Sequence, residues 1–511
     1  MLSRVYSASV LGIDAHPVEV EVDIAGRGLP HFSVVGLPDA AVKESRDRVK
    51  AALKNIGFSF PLRPITVNLA PADLKKEGSA FDLPIAVGLV ASEGVLDPLS
   101  LRGCLFTGEL SLDGRVKPVR GALSMALLAR DRGLRLVLPA ANAPEGAVVR
   151  GVEVYGVRNL SEVIEFIKGE RRLAPFETDV EGAMAANSAY EDDFSDVKGQ
   201  EHAKRALEVA AAGGHNVIMI GPPGSGKTML SRRLPTILPP MTFDEALEAT
   251  RIHSVAGLLR EGQAVLATRP FRSPHHTISD VALIGGGQVP KPGEVSVAHN
   301  GVLFLDELPE FKRNALEVLR QPLENGEVTV SRAVASITYP ARFMLVAALN
   351  PCPCGYLGDS RRQCTCTGGQ VHRYRARVSG PLLDRIDIHL EVPAVPYKEL
   401  SDEYSGERSE AIRARVAEAR GLQLRRFEGD GIFTNGQMKT RHIKKHCRLG
   451  PDAQGLLDTA MQRLGLSARA YARILKLSRT IADLEASAEI LAHHVSEAIQ
   501  YRALDKGHGP F

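Results

Sequence analysis

The stretch Asn216 to Thr228 reads NVIMIGPPGSGKT, an apolar run that breaks into glycines and prolines and then into Lys227 and Thr228. Gly221, Pro222, Pro223, Gly224, Ser225 and Gly226 form a loop whose backbone N–H groups can turn inward around a triphosphate. The helix that follows points its positive end at the same charge. Lys227 suits the β- and γ-phosphates and the Thr228 hydroxyl suits Mg²⁺, so the spacing predicts ATP or GTP binding. A second apolar run, GVLFLDEL from Gly301 to Leu308, ends in Asp306 and Glu307. Asp306 is expected to hold Mg²⁺ through its water shell, and Glu307 to polarise the attacking water. A third run, Phe343 to Leu349, ends at Asn350, whose amide can hold that water against the γ-phosphate.

Cys352, Cys354, Cys364 and Cys366 form a CxC…CxC box in a chain with six cysteines altogether. Four thiolates on a polar loop suit tetrahedral Zn²⁺ in a closed structural site. Unligated thiols and a redox switch are the other readings. Cys104 and Cys447 are isolated and read as packing residues, and His275–His276 as a loop contact or polar packing.

These residues need a parallel α/β core to hold them. A chain of 511 residues is too long for one hydrophobic core. With 44% hydrophobic and 24% charged residues its composition is that of a globular protein, and a net charge of +3 decides nothing about nucleic acid. No apolar run reaches the roughly 18 residues of a membrane span, and early acidic residues argue against a secretion signal. The expectation is a cytoplasmic protein with no membrane partner.

Four segments are predicted. Residues 1–170 alternate strand-like and helical signals: Val18 to Ile24 and Ile65 to Leu69 as strands, Asp39 to Ile56 as an amphipathic helix, and Phe81 to Ser92 as another. Residues 171–195 have linker composition. Residues 196–396 form the nucleotide-binding α/β core, and residues 397–511 a helical lid. Helices are expected over Ser409 to Phe427, Gly455 to Leu464, Ala468 to Leu484 and His493 to Ala503. Two inserts exceed a bare core: a mobile loop, Gly285 to Glu294, and a β-hairpin from Glu327 to Tyr339. Lys291 and Arg332 on them are candidate contacts to a nucleic-acid backbone, with a solvated charge as the alternative. The basic run Lys439 to Arg448 is either a DNA-facing surface or a solvated helix face.

The front segment resembles the proteolytic domain of Lon-type proteases, through KEGSA (Lys76 to Ala80) and GELSLDGRV (Gly108 to Val116). That family's Ser–Lys dyad would pair Ser79 with a lysine in the helix after Pro118, where Leu123 and Met125 stand instead. The segment therefore reads as a Lon-like (S5 domain 2-like) fold without peptidase activity. Across almost the whole chain, FRSPHHTISD, KPGEVSVAHNGVLFLDELPEF, LRQPLENGEVTVSRA and AALNPCPCG resemble the ComM/YifB family of magnesium-chelatase-like AAA+ ATPases. The resemblance implies a P-loop AAA+ core with inserts and a C-terminal lid. It also implies a homo-oligomeric ring, expected to be a hexamer, and helicase or branch-migration activity on single-stranded or branched DNA. In that pattern Asn350 is sensor 1 and Arg385 is the finger reaching a neighbour's ATP, against an internal pair with Asp384 or Asp387. Arg469 matches sensor 2, with Arg473 a weaker candidate. The rival readings are a chelatase-type ATPase, a protein-remodelling AAA+ chaperone without DNA activity, and an active Lon-like peptidase.

Overall fold

The computed structural model describes residues 2–186, 190–287, 290–332, 336–359, 362–395 and 406–502. The expected segment boundary at Pro396, the end of the last helix at Ala503, Gln288–Val289 of the first insert and the Ala333–Ala335 turn of the second lie outside them. The chain forms two compact units, Met1–Asn187 with Ala246–Ala267, and Ser188–Glu245 with Thr268–Phe511.

The first unit is built on a mixed seven-stranded sheet. Its spatial order is Phe32–Val35, Ile65–Ala70, Asp14–Ile24, Leu2–Leu11, Cys104–Phe106, Arg135–Pro139 and Val154–Val157. Period-two alternation sets the strand Asp14–Ile24: Val18, Val20, Val22 and Ile24 are buried, while Glu19 and Glu21 between them are not. The helix Asp82–Ser92 is buried along its whole length. Its one carboxylate, Asp82, is matched by Arg48 at 2.6 and 2.9 Å and by the Ser45 hydroxyl at 2.5 Å, as a buried charge requires. The same arginine divides the helix expected over Asp39 to Ile56 into Ala40–Lys43 and Ser45–Asn55. Its Nη2 donates to the Ala41 carbonyl at 2.9 Å, taking the acceptor that a continuous helix would use.

The segment Ala246–Ala267 belongs to this unit although it lies in sequence between the phosphate loop and the acidic strand. Ser254 holds it there. Its hydroxyl accepts from the Gly121 N–H at 2.9 Å and donates to the buried Glu145 carboxylate. Glu145 also accepts from the Leu123 N–H at 2.8 Å, and burial raises its pKa. Residues 171–195, expected as linker, contain a short helix, Val180–Ala186.

The second unit carries an all-parallel five-stranded sheet in the spatial order Phe271–Arg272, Val302–Leu305, Met344–Leu349, Val217–Ile220, Ile388–Glu391. Every residue of Val217–Ile220, Val302–Leu305 and Met344–Leu349 is buried, which is why these strands read as unbroken apolar runs. The first strand in sequence lies between the fourth and the fifth, a reversal of order that opens a crevice at the carboxyl edge. The expected C-terminal helices appear as Ser409–Arg426, Pro451–Leu464, Ala468–Leu484 and Ala492–Gln500. Ile412, Val416, Ile474, Leu477 and Ile481 from these helices share one core with the sheet residues Val217, Val346 and Ile388.

Candidate nucleotide site and cysteine cluster

Strand register brings the predicted residues together. Ile220 is aligned with Leu349, and Leu305 with Ala347, so Gly221, Asn350 and Asp306 leave the same edge of the sheet side by side. Gly226 has φ +93°, a left-handed conformation that glycine tolerates, and it caps the helix Lys227–Ile237. Lys227, only 7% exposed, donates to the carbonyls of Gly221 at 2.7 Å and Pro222 at 2.9 Å, and lies 3.4 Å from Asn350 Oδ1. Burial lowers its pKa while Asp306 opposes the shift. The Thr228 hydroxyl donates to Asp306 at 2.8 Å. A hydroxyl and a carboxylate in contact beside a buried ammonium are a fitting donor set for Mg²⁺ on a triphosphate.

Glu307 has φ +51°, an uncommon backbone state for a non-glycine residue. Its N–H donates to Asp306 Oδ1 at 2.9 Å, and its half-exposed carboxylate lies 3.3 Å from His276 Nδ1. That histidine partner was not anticipated. Its only signal was indirect: Phe271 is aligned with Val302, so the segments that follow those two strands must lie near each other.

A cavity of 680 Å³ opens beside the loop, with Val197, Gln200, Pro223, Gly224, Tyr356 and Arg362 in its walls. Gln200 anchors one side by donating to the carbonyls of Pro393 at 2.6 Å and Ser225 at 3.3 Å.

The two predicted arginines are occupied elsewhere. Arg385 pairs with the Glu324 carboxylate, not with Asp384 or Asp387, and donates to the Pro381 carbonyl at 2.5 Å. Arg469, near the start of its helix and largely exposed, bonds Asp384 at 2.6 Å. Arg473 takes Asp387 at 3.1 Å. Burial opposes ionisation of Asp387, yet Arg473 and His215 hold its carboxyl well below the ordinary carboxylate range.

The four box cysteines converge. Cys352 Sγ lies 3.3 Å from Cys354 and 3.7 Å from Cys364, Cys354 and Cys364 are 3.6 Å apart, and all four sulfurs lie within 4.8 Å of one another. Those spacings approach the edges of a tetrahedron with metal–sulfur bonds of about 2.3 Å. The backbone N–H of Tyr356, followed by that of Thr365, brings the Cys354 thiol down to about 6. A second cluster, Glu485 with His493 and His494, suits a metal less well. His494 Nδ1 accepts from the Leu491 N–H at 2.9 Å, which leaves the proton on Nε2, the atom that faces Glu485 at 3.0 Å.

The two inserts are joined. Gly285–Gly286 pairs antiparallel with Lys291–Pro292, so the first insert has a paired two-strand base. It has no room for side chains at its base: a Cβ on Gly293 would meet backbone atoms at 2.4 to 2.5 Å. In the second hairpin, Glu327–Ser331 with Ser336–Pro340, Val328, Val330, Ile337 and Tyr339 are buried while Thr329 and Thr338 face outward. Tyr339 donates to the Pro290 carbonyl at 2.7 Å, and the Arg332 guanidinium lies beside Gly286. Lys291 and Arg332 therefore belong to one substructure, with Lys291 exposed. In the basic run, Lys439, Lys444 and Lys445 are exposed, but His442 and Cys447 are buried.

In the first unit, Ser79 donates to the Glu109 carboxylate, and Lys117 Nζ lies 3.8 Å from Glu109. Leu123 and Met125 are buried in the helix Ala122–Asp131. Among the described residues, no helix is long and apolar enough to cross a membrane.

Comparison with known proteins places this geometry in context. Residues 193–400 match the family described as magnesium chelatase, subunit ChlI. Residues 20–142 match subunit ChlI of Mg-chelatase, and residues 406–502 match the ChlI C-terminal family. A protein named YifB from Salmonella typhimurium is 46% identical over 99% of this chain and 98% of its own length. The competence protein ComM of Haemophilus influenzae is 45% identical over 98% of each. The magnesium-chelatase 38 kDa subunit of Rhodobacter capsulatus is 30% identical over 31% of this chain and 50% of its own.

Proposed function

The chain belongs to the ComM/YifB family of magnesium-chelatase-like AAA+ proteins, and from that premise we propose that it is a ring-forming ATPase that spends ATP hydrolysis on moving DNA. The observation that carries this reading is the convergence of Lys227, Thr228, Asp306 and Asn350 on one sheet edge. In it the β- and γ-phosphates take the place of the carbonyls that Lys227 now holds. Thr228 and Asp306 would hold Mg²⁺, Thr228 through its hydroxyl and Asp306 through water, and the ion would supply charge neutralisation on the phosphates. Glu307 polarises the attacking water, His276 orients the Glu307 carboxylate, and Asn350 holds the water in line. Arg385 is donated by one subunit to the ATP of the next, which requires it to leave Glu324. Arg469 acts as the lid's sensor and releases Asp384 on closing. Cys352, Cys354, Cys364 and Cys366 would hold Zn²⁺ as a structural ion.

DNA is the polymer this reading favours. One relative carries a competence name, and Lys291 and Arg332 sit together on two joined inserts, as suits contact with a phosphate backbone. The front unit is read as a Lon-like fold without peptidase activity, since Leu123 and Met125 stand where the dyad's lysine would be and the Ser79 hydroxyl is hydrogen-bonded to the Glu109 carboxylate. The decisive experiment is unwinding of forked and four-way DNA by the wild type and by Glu307→Gln. The expected result is ATP-dependent unwinding lost in the variant, with ATP binding retained. ATPase unaffected by DNA, with no DNA retention at low salt, would transfer the function to protein remodelling or to chelatase-type chemistry.

A further inference from the structure

The cysteine cluster and the cavity beside the phosphate loop share one piece of chain. Asn350 ends the third apolar strand and Cys352 begins the box two residues later. From there the chain presses on the phosphate loop itself. Gly355 has φ +87°, and a Cβ placed on it would meet Pro223 Cδ at 2.7 Å and Cγ at 2.8 Å. The next residue, Tyr356, enters the cavity wall, and Arg362, two residues before Cys364, joins it there. The Arg362 Nη1 donates to the Tyr356 hydroxyl at 2.8 Å, and the guanidinium lies 5.2 Å from the ring centroid. Asp359 closes the turn: its N–H donates to the Tyr356 carbonyl at 3.1 Å and its carboxylate accepts from the Arg362 N–H at 3.1 Å. Val197, Met229 and Leu230 add apolar side chains to the same lining.

A half-buried aromatic ring with a guanidinium over it, in a cavity that apolar side chains also line, is a stacking surface for a flat heterocycle. A phosphate chain has no use for such a surface, and the phosphate-binding groups lie along the loop itself. Both wall residues are carried between the two Cys-x-Cys pairs, and the backbone around the cluster is turned by its sulfurs: Cys366 N–H donates to Cys364 Sγ at 3.4 Å.

We propose that Tyr356 and Arg362 form the purine-binding wall of the nucleotide pocket, and that Zn²⁺ in the Cys352, Cys354, Cys364, Cys366 cluster holds that wall in place. The inference rests on the ATPase reading above and adds to it the group that recognises the base. It makes the cysteine box part of the nucleotide site, with a consequence for affinity as well as for folding.

The test compares two probes on the full-length protein, ATP and inorganic tripolyphosphate, the second lacking base and sugar. Affinities are measured by calorimetry for the wild type, Tyr356→Ala, Tyr356→Phe, Arg362→Ala and the double variant Cys364→Ser/Cys366→Ser, with zinc counted by elemental analysis. The wild type is expected to carry about one zinc per chain. Tyr356→Ala should weaken ATP about tenfold or more, the scale of one lost base–aromatic stack, while tripolyphosphate changes less than about twofold. Tyr356→Phe keeps the ring and should recover most of the ATP affinity. The cysteine variant should lose zinc and ATP affinity together while keeping tripolyphosphate, which also shows that its phosphate loop is still folded. An unchanged ratio of ATP to tripolyphosphate affinity in Tyr356→Ala overturns the wall. A zinc-free wild type with normal ATP affinity overturns the metal's role. A wild type that binds neither probe defeats the ATPase reading itself, and the wall with it.

Discussion

Lys227 in the second unit and Lys76 in the first are both buried lysines whose ammonium groups donate to backbone carbonyls. In both, burial lowers the pKa against an opposing carboxylate, Asp306 for one and Asp73 for the other. What differs is the surroundings. Lys227 stands in a glycine-rich loop at a sheet edge, next to a cavity, a hydroxyl–carboxylate pair and an amide. Its carbonyl partners can be exchanged for phosphate oxygens. Lys76 has no exposed surface and satisfies the chain around Pro71. Nearby, Ser79 is bonded to a carboxylate, which restrains its hydroxyl instead of deprotonating it. The lesson is that a buried lysine becomes a catalytic instrument only where its partners are replaceable and a ligand has room to arrive.

The comparison is sharpened most by a residue outside both clusters. Arg385→Ala should lower ATP hydrolysis by about 10³–10⁵-fold if the nucleotide site is completed by a neighbouring subunit. Adding Lys227→Ala protein, which keeps Arg385, should restore part of the rate in mixed rings. A normal rate in Arg385→Ala would mean that the site is complete within one chain.

Next in size, Lys227→Ala should cost about 10²–10³-fold in rate together with measurable ATP affinity, since a preorganised charge is removed from the reacting phosphates. His276→Ala should lower kcat by roughly three- to tenfold with ATP affinity unchanged, because a modest misplacement of Glu307 affects the reaction and not binding. Loss of affinity in that variant would make His276 a binding residue instead.

The smallest effects belong to the first unit. Lys76→Met should leave ATP hydrolysis within about twofold while lowering stability by about 1–3 kcal/mol, since the Pro71 carbonyl loses its donor. Ser79→Ala should leave both ATP hydrolysis and casein turnover unchanged. Peptidase activity abolished by that substitution would break the contrast and make the first unit a second enzyme.

The parts of the site that could be read from the sequence are those where chemistry and fold coincide locally. Gly221 to Thr228 is contiguous, and Asp306 and Asn350 each end an apolar run. A strand buried on both faces must be apolar, so the first polar residue after it marks the carboxyl edge of the sheet. The cysteine box is likewise contained in a short segment, and so were the strands Val18 to Ile24 and Ile65 to Leu69, whose extents were recovered within a few residues. Contacts that depend on which strands are neighbours were not legible. The His276 partner of Glu307, the Glu324 partner of Arg385 and the Tyr339–Pro290 bond between the inserts each join residues far apart in sequence.

By itself, then, the sequence determined the glycine-rich loop, the apolar runs that end at Asp306 and Asn350, and the cysteine box, because backbone turns and hydrophobic runs are short-range matters of glycine, burial and spacing. Only the tertiary structure decided what those residues touch: that Ala246–Ala267 folds with the first unit, that two inserts become one surface, and that the cysteine arc presses on the phosphate loop at Pro223. The reason is physical. Strand order and core packing are settled by the whole chain's balance of buried area against chain entropy, and no local pattern records the outcome.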